Sequence, residues 1–466
     1  MMSKLAIFLK RKISDYPDSK ISDTDGTIWS YKDFLHMAES FSTQLTSHKY
    51  GILCRSGLLS ALAIVACVQA GVTAVPISFQ YGELYKEKII KTCGLSHIIT
   101  DDEGMLEEKI INQNQEELEN LEGVAFMMCT SGTTGFPKAA MLTGENILSN
   151  LQDIERYFPL SKTDRILISR SLCHAAVLTG EFLISLCKGA DVVFDEIGFN
   201  PAKTVLRVKE YEITVICGTP TFFYHFSRFA LRGQCSLPLN MIVVSGECMA
   251  EKTASLICKA LPGVLVYHVY GLTEASPRVT CLPPEYFKEK PTSVGNPLAS
   301  VKIKILNEKE SKFFSDCGVS LRKTGELWIS GPNIMKGYYN NPFATQKVLQ
   351  NNWLKTGDIA YLDDDGHLVI CGRKDDLIIV GGLNIYPAEI ENLLLETEHI
   401  SEAFVYGRKN EMGLKLVFDI VPSNNSVTIK DIFSICREKL PSQYWPHEIV
   451  LVQSLHKSVS GKRKHN

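Results

Sequence analysis

Up to about residue 374 the chain alternates between short apolar runs and longer segments whose apolar positions recur at helical spacing. Apolar runs at residues 50–55, 97–100, 124–129, 165–169, 191–194, 214–218 and 241–244 predict strands. Residues 58–70, 146–156 and 181–188 between them predict helices. Strands that alternate with helices in this way imply parallel sheets covered by helices, joined by right-handed crossovers. Residues 56–82 carry no charge at all, but Gln69, Gly71 and Pro76 interrupt them. A buried helix over 58–70, stopped by Gly71 and followed by a strand over 72–77, fits better than a membrane span, which needs about 20 uninterrupted apolar residues.

The pattern changes after Ser293. Strand-like runs at 301–306, 325–329, 359–362 and 367–371 follow one another with turn residues between them. The run Asp363, Asp364, Asp365, Gly366 lacks the spaced ligands of a calcium loop and is expected to be a tight hairpin turn. A boundary falls near Arg373, Lys374, Asp375 and Asp376, so the expected domains are residues 1–374 and 375–466. Within the second, strands at 377–380, 403–407 and 415–420 and helices at 387–396 and 429–439 predict a small α+β domain. The polar, acidic stretch 109–122 is expected to be a helix-containing surface connection.

Composition narrows the picture. At 466 residues the chain is too long for one ordinary core, and a hydrophobic content of 45% supplies ample surface to bury. A net charge of −3 gives no electrostatic footprint for nucleic acid, and Lys462, Arg463, Lys464 and His465 form a local basic cluster. The 14 cysteines contain no C-x-x-C pair and lie mostly in apolar runs, as Cys67, Cys187 and Cys217 do. That usage points to buried thiols in a reducing cytosol. The N-terminal apolar run 5–9 stops at Lys10 and is too short for a secretory signal, so a cytoplasmic location is expected, without a membrane span.

One segment carries most of the chemistry. Thr130, Ser131, Thr133 and Thr134 offer hydroxyls, Gly132 and Gly135 let the backbone approach a ligand, and Lys138 adds a mobile positive charge. This suits the polyphosphate of a nucleotide but lacks the Walker spacing. Taken alone, a Gly/Thr-rich surface loop explains it as well.

Further motifs decide between these readings. Tyr270-Gly271-Leu272-Thr273-Glu274, Gly325-Glu326-Leu327, Thr356-Gly357-Asp358, Gly372-Arg373-Lys374-Asp375 and Ser460-Gly461-Lys462 follow in order. With the first loop they resemble the acyl-adenylate-forming superfamily of acyl-CoA synthetases, peptide-synthetase adenylation domains and luciferases, from about Ile28 onward. The resemblance implies an α/β fold: a large domain of parallel sheets covered by helices, a small distorted β-barrel, and a small mobile α+β C-terminal domain. It implies ATP and Mg²⁺, with CoA or a carrier-protein phosphopantetheine as acyl acceptor.

The resemblance also implies roles. Residues 130–138 cradle the β- and γ-phosphates, Thr273 meets the α-phosphate, and Glu274 holds Mg²⁺, as a hard cation bridging phosphate oxygens requires. Asp358 accepts the ribose hydroxyls, and Gly246 and Glu247 match an adenine-side strand end. Tyr270 offers a flat face to adenine, although a core tyrosine is an equal alternative. Arg373 and Lys374 stand at the hinge with Asp375, and Lys462 is the adenylation lysine. Gly381 and Gly382 match the thiol tunnel, or form an ordinary turn.

The segment 171–176 matches a motif bordering the acyl pocket, with His174 as a gate rather than a base. Amino-acid-activating members place Asp where this chain has Ala175, and an unpaired buried ammonium is costly. With Val177, Thr221, Ser245, Gly271 and Leu272, Ala175 suggests a pocket for an aryl or aliphatic acid. The expected activity is an ATP-dependent acid–thiol ligase of the acyl-CoA synthetase type. A stand-alone enzyme loading an acyl carrier protein is the first alternative. A regulatory nucleotide binder without turnover is the second, and Lys462, Glu274 and Asp358 argue against it. Two departures stand out: Thr143-Gly144 where the family has Thr-His, and Ala139 where it has Gly.

Overall fold

The computed structural model describes residues 3–455 apart from 112–120, 131–136, 196–197, 199, 235, 316–317, 377, 381–382, 411–412 and 441–443. Two sheets organise the large domain. In the first, strands Asp191–Phe194, Arg165–Ile168, Val215–Gly218, Met241–Val244 and Leu265–Gly271 lie side by side and parallel. In the second, Lys49–Ile52 lies parallel to Thr73–Pro76 and His97–Asp102, and Val124–Thr130 forms a hairpin with Lys138–Thr143.

The uncharged segment is a helix, Gly57–Ala70, packed against strands of both sheets. Every residue from Gly57 to Gln69 except Ser60 is buried. The Ser56 hydroxyl caps it by accepting from the Leu59 N–H at 3.0 Å, and Gly71 ends it at φ 73°. A Cβ on Gly57 would stand 2.8 Å from the Phe194 ring, so a glycine is needed where the helix starts against the first sheet.

The N-terminal apolar run forms part of an amphipathic helix, Lys4–Ser14, with Leu5, Ala6, Leu9 and Ile13 buried. It packs on the helix Gly144–Tyr157, and Lys4–Glu145 (2.8 Å) and Lys12–Glu155 (2.6 Å) flank the contact. The Leu5 Cβ lies where Gly144 has none: a Cβ added at 144 would be 3.3 Å away. The two helices thus approach closely at Gly144. Ala139, the other departure, is 1% exposed in a cluster with Val75, Met127 and Tyr339.

The later strands do not stand apart from the large sheet. Ser293–Pro297 pairs with Arg278–Leu282 on one side and Leu368–Arg373 on the other, joining the antiparallel strands to the parallel ones. Lys302–Ser315 and Gly318–Ser330 extend well beyond the expected runs as one long hairpin. The run of three aspartates is a hairpin turn, with Asp363 accepting from the Asp365 and His367 N–H groups at 3.0 and 2.8 Å. Residues 105–110, partly assigned to a connection, are instead a strand paired with His97–Asp102. Its polar composition suits a sheet edge, and Glu108 accepts from the buried Tyr50 hydroxyl at 2.8 Å.

The C-terminal segment has its own core of Ile390, Leu394, Val405, Phe418, Ile432 and Cys436. Strands Ile400–Asn410, Gly413–Pro422 and Glu448–Leu451 form a sheet beside the helices Pro387–Leu395 and Ile429–Lys439. It meets the large domain through Tyr386 and Thr324, whose hydroxyls are 3.1 Å apart, and through His225 and Glu402 at 3.6 Å. Among the described residues no helix is long and apolar enough to cross a membrane.

Candidate active site at the strand ends of the large domain

The hairpin Val124–Thr130 and Lys138–Thr143 brings Thr130 opposite Lys138, where the Thr130 hydroxyl donates to the Lys138 carbonyl at 3.4 Å. Ser131, Gly132, Thr133, Thr134 and Gly135 connect the two strands and lie outside the described residues, as do Gly381, Gly382 and Lys462. The Lys138 ammonium stands 5.3 Å from the centroid of the Tyr338 ring. The short strand Gly337–Tyr338 adds to the free edge of the hairpin, which is how a residue 200 positions later in sequence reaches it.

Tyr338 connects this lysine to the second motif. Its hydroxyl donates to Glu274 Oε1 at 2.7 Å. Burial first, then the Glu274 carboxylate, pushes the phenol far above its ordinary range, so it remains a donor at any working pH. Thr273 and Glu274 form a tight 3₁₀ turn at the end of strand Leu265–Gly271, held by the Met335 N–H donating to the Glu274 carbonyl at 2.9 Å. Sequence reasoning did not single out Tyr338. Its signal was an aromatic pair, Tyr338-Tyr339, which reads as ordinary core.

Asp358 anchors a second cluster. It is 6% exposed and accepts from the Tyr270 hydroxyl and, at 3.0 Å, from Arg373 Nη1. Arg373 Nη1 also donates to the Thr356 carbonyl at 3.0 Å, while the Thr356 hydroxyl accepts from the Asp358 N–H at 3.0 Å. Antiparallel pairing of Trp353–Leu362 with Leu368–Arg373 places Asp358 opposite Arg373. Next to Arg373, the Lys374 ammonium donates to Glu326 Oε2 at 3.0 Å, tying the segment expected to be the boundary to the motif Gly325-Glu326-Leu327. Asp375 follows and is exposed.

The residues expected to line the acid pocket lie after neighbouring strands. Ser245 and Gly246 follow strand Met241–Val244, Gly246 at φ 95°. Glu247 Oε2 accepts from both the Thr221 N–H (3.1 Å) and its hydroxyl (2.7 Å), joining a residue assigned to adenine with one assigned to the acid. His174 precedes the turn Ala175–Val177, in which Ala175 and Val177 are buried. That turn passes into a π-helical turn, Leu178–Leu183, where the buried Glu181 pairs with Arg170. Gly271 and Leu272 are partly buried at the end of their strand. Arg278 was missed, although a lone charge opening the buried strand Arg278–Leu282 was a signal.

No group of three or more metal-ligating side chains occurs among the described residues. Glu274 alone, accepting at Oε1 and leaving Oε2 without a hydrogen bond among the described residues, fits a cation whose other ligands are phosphate oxygens and water. The cluster as a whole offers a cation near a hydroxyl-rich hairpin, an oriented carboxylate, and a second buried carboxylate. That arrangement can hold a nucleotide, orient its phosphates and neutralise developing charge.

Known proteins share this architecture. The family model described as "AMP-binding enzyme" matches residues 9–339, and "AMP-binding enzyme C-terminal domain" matches 389–462. The 2-succinylbenzoate–CoA ligase of Bacillus subtilis is 28% identical over 459 residues, covering 94% of this chain and 92% of that protein. A feruloyl-CoA synthase from an Amycolatopsis species is 30% identical over 422 residues, covering 86% and 84%. The solved O-succinylbenzoate coenzyme A synthetase (MenE) from Bacillus subtilis, in complex with AMP, superposes with a TM-score of 0.81 at 27% identity, covering 98% and 96%. With both parts of the chain matched in order and the strand-end motifs in one cluster, this chain belongs to the AMP-binding enzymes.

Proposed function

We propose that the protein is an AMP-forming acid–thiol ligase: it activates a non-amino carboxylic acid as an acyl-adenylate and passes the acyl group to the thiol of coenzyme A. The observation that carries this reading is the pair of polar chains Lys138–Tyr338–Glu274 and Tyr270–Asp358–Arg373, each assembled from distant segments at one set of strand ends. The relatives named above, and a long-chain-fatty-acid–CoA ligase from Yersinia pestis at 34% identity over 345 residues, all carry names that pair an acid with CoA. The solved MenE enzyme has also been obtained in complex with ATP and magnesium ion.

The chemistry runs in two halves. The substrate carboxylate attacks the α-phosphorus of ATP, an acyl–oxygen–phosphorus bond forms, and the bond to pyrophosphate breaks. The thiolate of CoA then attacks the acyl carbon, and AMP leaves with the electron pair of the anhydride oxygen. Lys138 and the hairpin connection bind the terminal phosphates, and Thr273 orients the α-phosphate. Asp358, held by Arg373, takes the ribose hydroxyls. Tyr270 and the segment from Gly246 to Glu247 flank the base. Glu274 holds Mg²⁺, which when bound spreads the charge of the phosphates. Lys462 supplies the positive charge between carboxylate and α-phosphate.

The domains are residues 1–374 and 375–466, and the second turns about Asp375 between the two halves, withdrawing Lys462 and presenting Gly381 and Gly382 to the thiol. The separate core of the C-terminal segment supports this division, since a unit with its own core can move as one body. Ala175 and Val177, both buried and apolar, favour an aryl or aliphatic acid over an α-amino acid. His174 gates the entrance. A cytoplasmic location is supported by the free cysteines: twelve are described, and Cys93 and Cys129 stand 3.6 Å apart, sulfur to sulfur, without a bond.

The test is pyrophosphate release over a panel of fatty, aryl and α-amino acids, followed by addition of CoA or of a phosphopantetheinylated carrier protein. Release with a non-amino acid, and AMP production triggered by CoA, are expected. An α-amino acid as best substrate overturns the pocket assignment. AMP production triggered only by the carrier protein makes the enzyme a loading ligase instead.

A further inference from the structure

We infer that the substrate acid carries a second anionic group and that Arg278 is the residue that recognises it. The inference rests on the ligase reading and narrows its substrate class. Arg278 opens the buried strand Arg278–Leu282 and is 2% exposed. Its main chain is held: Asn150 Oδ1 accepts from the N–H at 3.2 Å, and Asn150 Nδ2 and Asn333 Nδ2 donate to the carbonyl at 2.8 and 3.2 Å. Its side chain is not. The Nε is buried without a partner, and among the described residues the guanidinium makes no hydrogen bond and no ion pair.

Its position places this charge at the acid. Arg278 pairs across the hairpin with Gly271, which begins the pocket segment Gly271-Leu272. The guanidinium lies against Gly180, where an added Cβ would stand 2.7 Å from Nη2 and 2.9 Å from Nε. Gly180 belongs to the π-helical turn that directly follows Ala175 and Val177. So the main chain of Arg278 adjoins one segment assigned to the acyl chain, and its guanidinium lies against the turn that follows the other. π-turns of this kind concentrate at functional sites.

The neighbouring acid does not answer the charge. Glu181, 1% exposed beside Gly180, is bonded to Arg170. Arg170 takes that carboxylate, and the Arg278 guanidinium is left without a bonded acid among the described residues. An arginine cannot shed its proton, so burial leaves it charged, and an incoming anion gains what the protein itself does not supply. In the ligase reading the reacting carboxylate of the substrate is engaged at the phosphate end, by Lys462. A monocarboxylic acid has nothing left for Arg278. A diacid, or an acid bearing another fixed anion, presents two oxygens to the planar fork of the guanidinium.

The test uses pyrophosphate release by the full chain with matched probes: 2-succinylbenzoate against 4-oxo-4-phenylbutanoate, which lacks only the ring carboxylate, and adipate against hexanoate. Within at least one pair the diacid should lead in kcat/KM by about 100-fold or more, as expected when a site built for a polar group meets an analogue lacking it. Arg278→Met should collapse that ratio to within about tenfold by raising the KM for the diacid, while KM for the monoacid stays level or falls. Its melting temperature should match or exceed that of the parent, since a buried unpaired charge has gone. Arg278→Gln serves the same comparison if the methionine variant does not fold. Equal use of both probes in both pairs by the parent, or an unchanged diacid preference in the variants, overturns the inference and leaves the ligase reading intact. Equal loss of both probes in a folded variant makes Arg278 structural and also overturns it. No pyrophosphate release with any acid overturns the ligase reading itself, and this inference with it.

Discussion

Tyr338→Phe removes one hydrogen bond from the site and leaves everything else in place. The lost bond is the 2.7 Å donation to Glu274 Oε1, and the retained ring still lies 5.3 Å from the Lys138 ammonium. A hydrogen bond to an ionised acceptor contributes about 1.5–3 kcal/mol. Tyr338 is 7% exposed, but Glu274 is only partly buried, so water can take the place of the phenol and the low end applies. A loss of about 1.4 kcal/mol corresponds to about tenfold. The expected result is a roughly tenfold higher Mg²⁺ concentration for half-maximal pyrophosphate release at saturating ATP and acid, because the carboxylate must be oriented at each binding event. The KM for ATP should stay near that of the parent. Tyr338→Leu should raise that KM as well, by removing a cation–π contact of about 0.5–1 kcal/mol. The phenol stays protonated throughout, so the ratio between parent and variant should not change between pH 6.5 and pH 9, values set by the assay. Tighter Mg²⁺ dependence in Tyr338→Phe would show that the phenol competes with the metal for Glu274. An unchanged dependence would show that it does not orient the carboxylate at all. Either result refutes the reasoning.

Lys462→Ala should abolish acyl-adenylate formation, with a loss of roughly 3–4 kcal/mol if the lysine acts as an oxyanion donor does, yet leave thioester formation from preformed acyl-AMP intact; equal loss of both half-reactions counts against domain alternation. Asp375→Pro fixes φ near −65° at the proposed hinge and should cut thioester production by at least about tenfold while adenylation continues, as single-turnover assays of each half can check. Normal rates in both halves move the hinge elsewhere. Burial raises the Asp23 carboxyl from its ordinary 3.8 to about 6, against the lowering effect of the Ser56 hydroxyl. The folded form thus holds this proton more tightly than the unfolded chain, so stability falls as pH rises from about 4 to about 6, and the full penalty persists above. Asp23→Asn should therefore stabilise the protein by about 1–2 kcal/mol at pH 7.5 and by much less at pH 4.5, read from melting curves, after allowing for partial exposure of the group. Equal stabilisation at both pH values means that the gain does not come from this charge.

The parallel core was legible because its strands are short, apolar on both faces and spaced by amphipathic helices. The uncharged helix Gly57–Ala70 was legible from Ser56 and Gly71, which cap it through local geometry. What escaped was whatever depends on a distant partner. The strand Met105–Ile110, whose last two residues fall in the stretch expected to be a polar connection, has no strand signal until His97–Asp102 lies beside it. Tyr270 and Asp358 were each assigned a nucleotide contact separately, but nothing in either motif shows that the tyrosine donates to the aspartate across 88 positions of sequence. Tyr338 is the clearest case. An aromatic pair carries no chemical signal until a short edge strand sets it between Lys138 and Glu274. Gly144 looked like a weakened motif, and its close approach to Leu5 belongs to a packing contact between two helices that neither segment shows alone.

That contact has a consequence for how the chain is made. The helix Lys4–Ser14 is synthesised well before the helix Gly144–Tyr157, which covers part of its apolar stripe of Leu5, Ala6, Leu9 and Ile13. Lys4 and its ionic partner Glu145 are separated by 141 positions. At about 5–20 residues per second, synthesis needs roughly 7–28 s to deliver that partner. During this interval an amphipathic helix with no finished groove beneath it is available to trigger factors, chaperones or a neighbouring nascent chain. Exchanging Gly144 for a larger residue would prolong that exposure by crowding the docking of Leu5, whose Cβ would stand 3.3 Å from an added Cβ. Its first effect would then be a lower yield of folded protein during translation, before any change in catalysis.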